Sequence, residues 1–273
     1  MSYFKANDGT EIFYKDWGSG RPIVFSHGWP LSSDAWDAQM MYFGQSGYRV
    51  IAHDRRGHGR SSQTWDGNNM DTYASDLATL LETLDLQDAI LIGHSTGGGE
   101  VTRYLGKYGT QRVARAALIG AVTPIMMQTQ NNPDGVPKEV FDGLRASVLE
   151  DRSKLFQDIT TPFYGLNRPG AKASKGIQDS FWLQGMQCSV KAAHDCIQAF
   201  SETDFSGDLA SIRIPLLILH GDDDQIVPWR TTAQKANQLA NGSELKLYPG
   251  FSHGMCTVNA AEINRDLRTF IES

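Results

Sequence analysis

Twelve residues, Ala89 to Glu100 (AILIGHSTGGGE), restrict the fold of this chain more than any other stretch. Ala89 to Ile92 is a short apolar run without helical spacing, the pattern of a strand buried on both faces. Gly93-His94-Ser95-Thr96-Gly97 follows, a match to G-x-S-x-G, and Val101, Tyr104 and Leu105 then recur at helical spacing. A strand, a sharp turn and a helix form the setting that a nucleophile elbow requires. Such a turn strains the backbone of the serine, so its neighbours must be small. Gly93 and Gly97 supply that room, and Gly98 and Gly99 let the start of the helix pack closely. Ser95 Oγ is then expected at the carboxyl end of a sheet, beside the positive end of a helix dipole. The pentapeptide alone is a weak pattern, but between a buried strand and a helix it becomes specific.

The rest of the chain builds a sheet around that strand. Tyr3 to Lys5 and Glu11 to Trp17 flank Asn7-Asp8-Gly9, a hairpin turn. Pro22 to Ser26 reads as the next strand and ends in His27-Gly28-Trp29-Pro30. Ala35 to Phe43 has helical spacing, and Tyr48 to Ala52 is a further strand, followed by Asp54-Arg55-Arg56-Gly57-His58-Gly59-Arg60. Tyr73, Leu77, Leu80, Leu81 and Leu84 lie on one face of a helix. After the Ser95 unit, Val113 to Ala121 is another strand. Strands alternating with helices imply an α/β fold, a mostly parallel central sheet covered by helices on both faces.

That rhythm stops at Thr123-Pro124. From there to about Arg213 the sequence offers helical patches at 140–149, 153–159, 180–186 and 192–200, punctuated by prolines 133, 137, 162 and 169. Alternation resumes with a strand at 215–220, a helix at 232–239, a strand at 244–248 and a helix at 260–271. The expected division is a core over 1–122 and 214–273, with a helical cap inserted at 123–213.

Composition narrows the function. Twenty-five Lys and Arg against 31 Asp and Glu leave a net charge of −6, which argues against an electrostatic nucleic-acid surface. The short basic cluster at 55–60 follows a strand and reads as loop structure. Cys188, Cys196 and Cys256 cannot all pair within one chain, so free thiols in a reducing compartment are expected. Cys256 near the C-terminal histidine reads as a buried structural thiol. No signal-peptide pattern and no membrane-length apolar run is present, which implies a soluble cytoplasmic protein.

A serine hydroxyl needs a general base, and the base needs an orienting carboxylate. On a strand–turn–helix elbow the chain order is serine, acid, histidine. His253 lies between the last strand and the last helix, in Pro249-Gly250-Phe251-Ser252-His253-Gly254, where the base belongs. His220, at the end of a strand, is the one real rival, since His27, His53, His58, His94 and His194 sit elsewhere. Gly221-Asp222-Asp223-Asp224-Gln225 offers three carboxylates, and mutual repulsion forbids all three from facing one imidazole. Spacing alone does not choose among them. An oxyanion needs two backbone donors. Thr96, directly after the serine, and Trp29, in the early loop, are the candidates, because Pro30 has no N–H.

These segments resemble the α/β-hydrolase fold and, more narrowly, the cofactor-free haloperoxidases and aryl esterases. The resemblance is carried by Lys15-Asp16-Trp17-Gly18, His27-Gly28-Trp29-Pro30, Asp54 to Gly59, Gly93 to Gly99, Pro162-Phe163-Tyr164-Gly165 and His220 to Pro228. The family pattern G-x-x-D-x-x-x-P implies Asp224 as the triad acid, with Asp222 as runner-up. It implies an acyl-enzyme on Ser95, released by water or by hydrogen peroxide. Peroxide yields a peracid that oxidises halide outside the protein, so neither metal nor haem is required. Many esterases of the family carry Met where Thr96 stands, which leaves the acyl preference open.

Trp29, Pro30, Met126, Phe163, Trp182, Phe200 and Ile226 are the expected substrate-facing residues. Pro30 is expected to bias Trp29 so that its carbonyl helps hold peroxide. The residues leave the oligomeric state open, and the resemblance implies a trimer or a multiple of one. The competing readings are a lactonase, amidase or C–C hydrolase on the same triad, or a catalytically silent ligand-binding relative.

Overall fold

The computed structural model describes residues 2–273. Ser2–Lys5 (β1) and Glu11–Trp17 (β2) form a hairpin with Gly9 at φ +83° in its turn. Pro22–Ser26 (β3) leads through a 3₁₀ turn at Ser33–Trp36 into Asp37–Gln45 (α1). Arg49–His53 (β4) and Met70–Thr83 (α2) come next. Ala89–His94 (β5), Thr96–Tyr108 (α3) and Val113–Ile119 (β6) carry the elbow.

Five helices follow before the next strand: Lys138–Asp158 (α4), Thr160–Tyr164 (α5), Lys175–Gln187 (α6), Val190–Glu202 (α7) and Ser206–Ser211 (α8). Leu216–Gly221 (β7), Ala233–Leu239 (α9), Glu244–Tyr248 (β8), Met255–Val258 (α10) and Ala260–Glu272 (α11) end the chain. Among the described residues no helix is long and apolar enough to cross a membrane.

All eight strands join one sheet in the order β1-β2-β4-β3-β5-β6-β7-β8. The pairs β1–β2 and β2–β4 are antiparallel and the rest are parallel. Side-chain alternation explains the two covered faces. Val24, Leu91, Leu118 and Ile218 pack in one cluster with residues of α2, α3 and α9, such as Leu77, Leu105 and Ala236. Ile23, Phe25, Ile90, Ile92 and Leu219 pack in the other, with Met40 and Phe43 of α1 and Ile263 and Leu267 of α11. Every residue of β5 is buried, which is why it opens on the unbroken apolar run Ala89 to Ile92.

The helices between β6 and β7 enclose their own cluster, including Phe141, Val148, Phe156 and Phe181. The two patches expected at 140–149 and 153–159 fall on α4, which breaks at Asp151 (φ −154°, ψ 83°) and ends one residue before the second patch does, with Ile159 as its C-cap. Asp151 Oδ1 accepts from Lys154 N at 2.9 Å and so caps the second part. The five-residue α5 and six-residue α8 were not expected, because neither is long enough for a helical period to repeat. Ion pairs of Arg56 and Arg60 brace the loop after β4. Arg56 pairs with Asp76 and Asp8, and Arg60 with Asp54 and Asp34. All three cysteines are buried and unpaired, and burial pushes the Cys256 thiol up to about 12.

Candidate active site

Ser95 stands between β5 and α3 at φ +55°, ψ −120°, a left-handed conformation that a non-glycine residue adopts at a cost of about 1–3 kcal/mol. Its neighbours leave no space for a side chain. A Cβ at Gly93 would lie 2.3 Å from the Gly97 carbonyl oxygen, and one at Gly97 would lie 2.0 Å from that of Ser26. The turn is held from outside by Ser95 N donating to Ile119 O at 2.9 Å. Gly28, in the loop after β3, abuts the same turn: a Cβ there would sit 3.1 Å from Ser95 Cβ.

The loops after β7 and β8 meet beside it. His253 Nδ1 lies 2.6 Å from Asp224 Oδ2, with both side chains about 1% exposed. An ionised carboxylate only accepts, so Nδ1 carries the proton and Nε2 is left as the acceptor. Asp224 Oδ1 accepts from Ile226 N at 2.9 Å and Val227 N at 2.8 Å. Burial pushes the Asp224 pKa up, but the charge of His253 and hydrogen bonds from His220 and His253 hold it well below the usual carboxylate range.

The rival His220 sits on the acid and not on the serine. Its Nε2 is 3.2 Å from Asp224 Oδ2 and 3.0 Å from Val227 O. His94 donates through Nε2 to the His253 carbonyl at 3.0 Å, tying the elbow to the loop after β8.

Tertiary contacts sort the three aspartates. Asp222 accepts from Gly250 N at 2.6 Å, and Asp223 receives two bonds from Arg168 at 2.7 and 2.8 Å. Asp224 alone reaches an imidazole. Ser95 and His253 line one cavity of about 250 Å³, although no hydrogen bond joins Ser95 Oγ to the His253 ring. Catalytic hydrogen bonds are often loose until substrate is bound.

The cavity wall is apolar. Trp29, Met126, Phe163, Phe200 and Ile226 line it together with Ser95, Thr96 and His253. Trp182 and Pro30 do not. Trp182 turns toward α4, where its Nε1 donates to Ser153 Oγ at 3.0 Å. Pro30 is buried in the loop behind Trp29. A helix face seen in sequence does not tell which neighbour its ring will join.

Val136, Val140, Phe141, Leu144 and Gln225 also line the cavity and were not singled out from sequence. Their signal was present, since Val140, Phe141 and Leu144 share one face of α4, but it is the same signal that a core face gives. The backbone N–H groups of Trp29 and Thr96 donate to no protein acceptor among the described residues. The Trp29 indole is anchored separately, by Nε1 to Ala193 O at 3.0 Å.

A family model described as the alpha/beta hydrolase fold matches residues 21–260. A non-heme haloperoxidase of Rhodococcus erythropolis is 58% identical, with all of both chains covered. A bifunctional esterase/perhydrolase of Acinetobacter calcoaceticus is 53% identical, again over the whole of each chain. Among solved structures, a bromoperoxidase from Bacillus anthracis superposes with a TM-score of 0.95 at 38% identity, covering 100% of both chains.

Proposed function

Because this chain belongs to the non-haem haloperoxidase family of α/β-hydrolases, we propose that Ser95, His253 and Asp224 act together as the triad of a serine esterase and perhydrolase. The observation that carries the reading is the 2.6 Å contact between His253 and Asp224, in the wall of the cavity that Ser95 also lines.

Ser95 Oγ attacks the ester carbonyl while His253 Nε2 takes its proton. Asp224 keeps the other ring nitrogen protonated and stabilises the imidazolium. The N–H groups of Thr96 and Trp29 receive the charge that grows on the carbonyl oxygen, where each donor is worth about 10²–10³ in kcat. His253 then gives the proton to the departing alcohol, leaving an acyl-enzyme. Water gives its proton to His253 and attacks the acyl carbon, and as the ester bond to Ser95 breaks that proton passes to Ser95 Oγ, freeing the acid and restoring the enzyme. Hydrogen peroxide in the same position releases a peracid, which oxidises halide in solution. Each step balances without a cofactor.

The apolar wall suits short-chain or aryl esters, which need little beyond shape and desolvation. Residues 123–213 are read as a cap over this cavity, and 1–122 with 214–273 as the catalytic core. Assembly as a trimer or a multiple of one is carried forward from the resemblance, with light scattering as its check.

Ser95→Ala is expected to abolish ester hydrolysis and peracid formation with the fold intact, because the serine supplies the covalent bond and not packing. The wild type should show a burst of aryl alcohol equal to the enzyme concentration. Turnover by Ser95→Ala near the wild-type rate would overturn the reading.

A further inference from the structure

Beneath the site lies a group of charges that the chemistry above does not use. Arg55 and Glu100 have side chains 1% and 0% exposed. Arg55 Nε donates to Glu100 Oε2 at 2.9 Å, and Nη2 is 2.7 Å from the same oxygen. Glu100 Oε1 is 2.7 Å from His53 Nε2. A buried ion pair is weak evidence for stability, since its desolvation offsets its attraction, and Arg55 Nη1 has no hydrogen-bond partner, although the guanidinium lies 5.0 Å from the centre of the Tyr73 ring.

What distinguishes the pair is where it leads. Glu100 stands on α3, the helix that begins at the elbow. Arg55 turns the other way, to the loop after β3: Nη2 donates to the His27 carbonyl at 2.7 Å, and its backbone N–H donates to His27 Nε2 at 3.0 Å. A backbone N–H only donates, so Nε2 must be the unprotonated nitrogen and Nδ1 must carry the hydrogen. Nδ1 lies 2.8 Å from Gly28 O, which also accepts from Leu31 N–H at 3.0 Å, so the ring and one backbone donor hold that oxygen together. Burial, followed by the Arg55 charge, holds the His27 pKa well below the ordinary histidine value, which keeps the ring in this neutral form.

The Gly28 carbonyl and the Trp29 N–H belong to one planar peptide unit, in which the two groups point opposite ways. A donor that fixes the Gly28 oxygen therefore fixes the direction of the Trp29 N–H. We infer that His27, set in one tautomer by Arg55 and held against α3 through Glu100, is a positioning residue that aims the Trp29 donor at the oxyanion. The relay joins the two halves of the oxyanion site, because Thr96 N–H rides on α3 and Trp29 N–H on the loop. This rests on the proposed roles of Ser95, Thr96 and Trp29.

The test uses the intact protein, an activated aryl acetate and a fluorophosphonate whose adduct is located by mass. His27→Phe keeps a ring of similar size and removes the Nδ1 donor. Arg55→Lys keeps a charge beside Glu100 but not the fork that also reaches the His27 carbonyl.

A misaimed group at a reacting centre costs about a hundredfold, so kcat is expected to fall by roughly that factor in His27→Phe and by about tenfold in Arg55→Lys. KM should stay within about threefold, and the burst should still count one active site per chain. A purely structural role predicts the reverse, a smaller burst with an unchanged rate per active site, and that result would overturn the relay. Should His27→Phe not fold, Arg55→Lys decides by the same criterion. An adduct on a wild-type residue other than Ser95 would overturn the triad and the relay together. An adduct on Ser95 with wild-type rates in both variants would overturn the relay alone.

Discussion

The turn around Ser95 follows β5 and the turn around Asp224 follows β7, both at the carboxyl end of the sheet, yet they hold their side chains by different means. At Ser95 the backbone does the positioning. Its φ of +55° is imposed by a turn so tight that Gly97 lies against the Ser26 carbonyl. At Asp224 hydrogen bonds position the side chain: two backbone N–H groups hold one carboxylate oxygen, and His253 and His220 share the other. The first turn should therefore be sensitive to added volume and the second to lost acceptors or charge. A site assembled from both kinds of turn fails in two distinguishable ways.

The largest effect expected is on the second turn. Asp224→Asn leaves the shape intact and removes the charge that holds the His253 tautomer, a change expected to cost about 10⁴ in kcat with stability lowered much less. Burst kinetics on an aryl ester together with a denaturation curve check both halves. A stable protein with near-wild-type kcat would show that the carboxylate does not orient the base.

Gly97→Ala tests the first turn by volume. Its Cβ would lie 2.0 Å from a buried carbonyl oxygen that is part of the backbone and cannot swing aside. A loss of about 3 kcal/mol or more, or no soluble protein, is expected in urea denaturation. A loss below 1 kcal/mol would mean that the elbow can relax.

Acid should reach the elbow before the acid loop. Burial, with His253 as the next contributor, pushes His94 down to about 3, whereas an unfolded histidine titrates near 6.5. The unfolded chain binds that proton first, so stability falls as pH drops below about 6.5 and continues to fall toward 3, by about 1.4 kcal/mol per pH unit. His58, also pushed down to about 3 by burial and then by the Arg55 charge, adds to the same slope. Asp224 carries the same sign in a lower window. Its contribution is present above its unfolded value of about 3.9 and is lost only as pH falls further. Urea midpoints between pH 7.5 and 4.5 should show the histidine slope, and His94→Asn should make it shallower by about 1.4 kcal/mol per pH unit while the part due to His58 remains.

The smallest effects belong to the other two aspartates. Asp222→Asn keeps an acceptor for Gly250 N and should cost less than about 1 kcal/mol and threefold in kcat. Asp223→Asn weakens a partly exposed pair with Arg168, worth about 0.2–1 kcal/mol, and should leave kcat within twofold. If either change matched the damage of Asp224→Asn, the contrast between the two turns would be lost.

What was legible in sequence follows from the range of the forces involved. The strand Ala89–His94, the glycines of the elbow and the alternation of strands and helices were readable because backbone sterics and side-chain periodicity act between neighbours in the chain. His253 was readable because chain order ties it to a loop after the last strand. Three identical carboxylates in a row carry no local distinction, so the residues alone left them open and only the family resemblance favoured Asp224. Partners far along the chain tell them apart: Arg168 for Asp223, Gly250 for Asp222, His253 for Asp224. The same reason kept Phe141 and Gln225 out of the expected cavity and brought Trp182 in. An apolar helical stripe looks alike whether it faces a core or a cavity, and only the packing of α4, α6 and α7 over the sheet decides which. By itself, then, the sequence determined the fold class, the strained serine and the loop that carries His253. The tertiary structure decided which aspartate reaches His253, which rings line the cavity, and that Arg55 and Glu100 link the loop after β3 to α3. Those choices are made by hydrogen bonds and contacts between residues that the chain itself holds far apart.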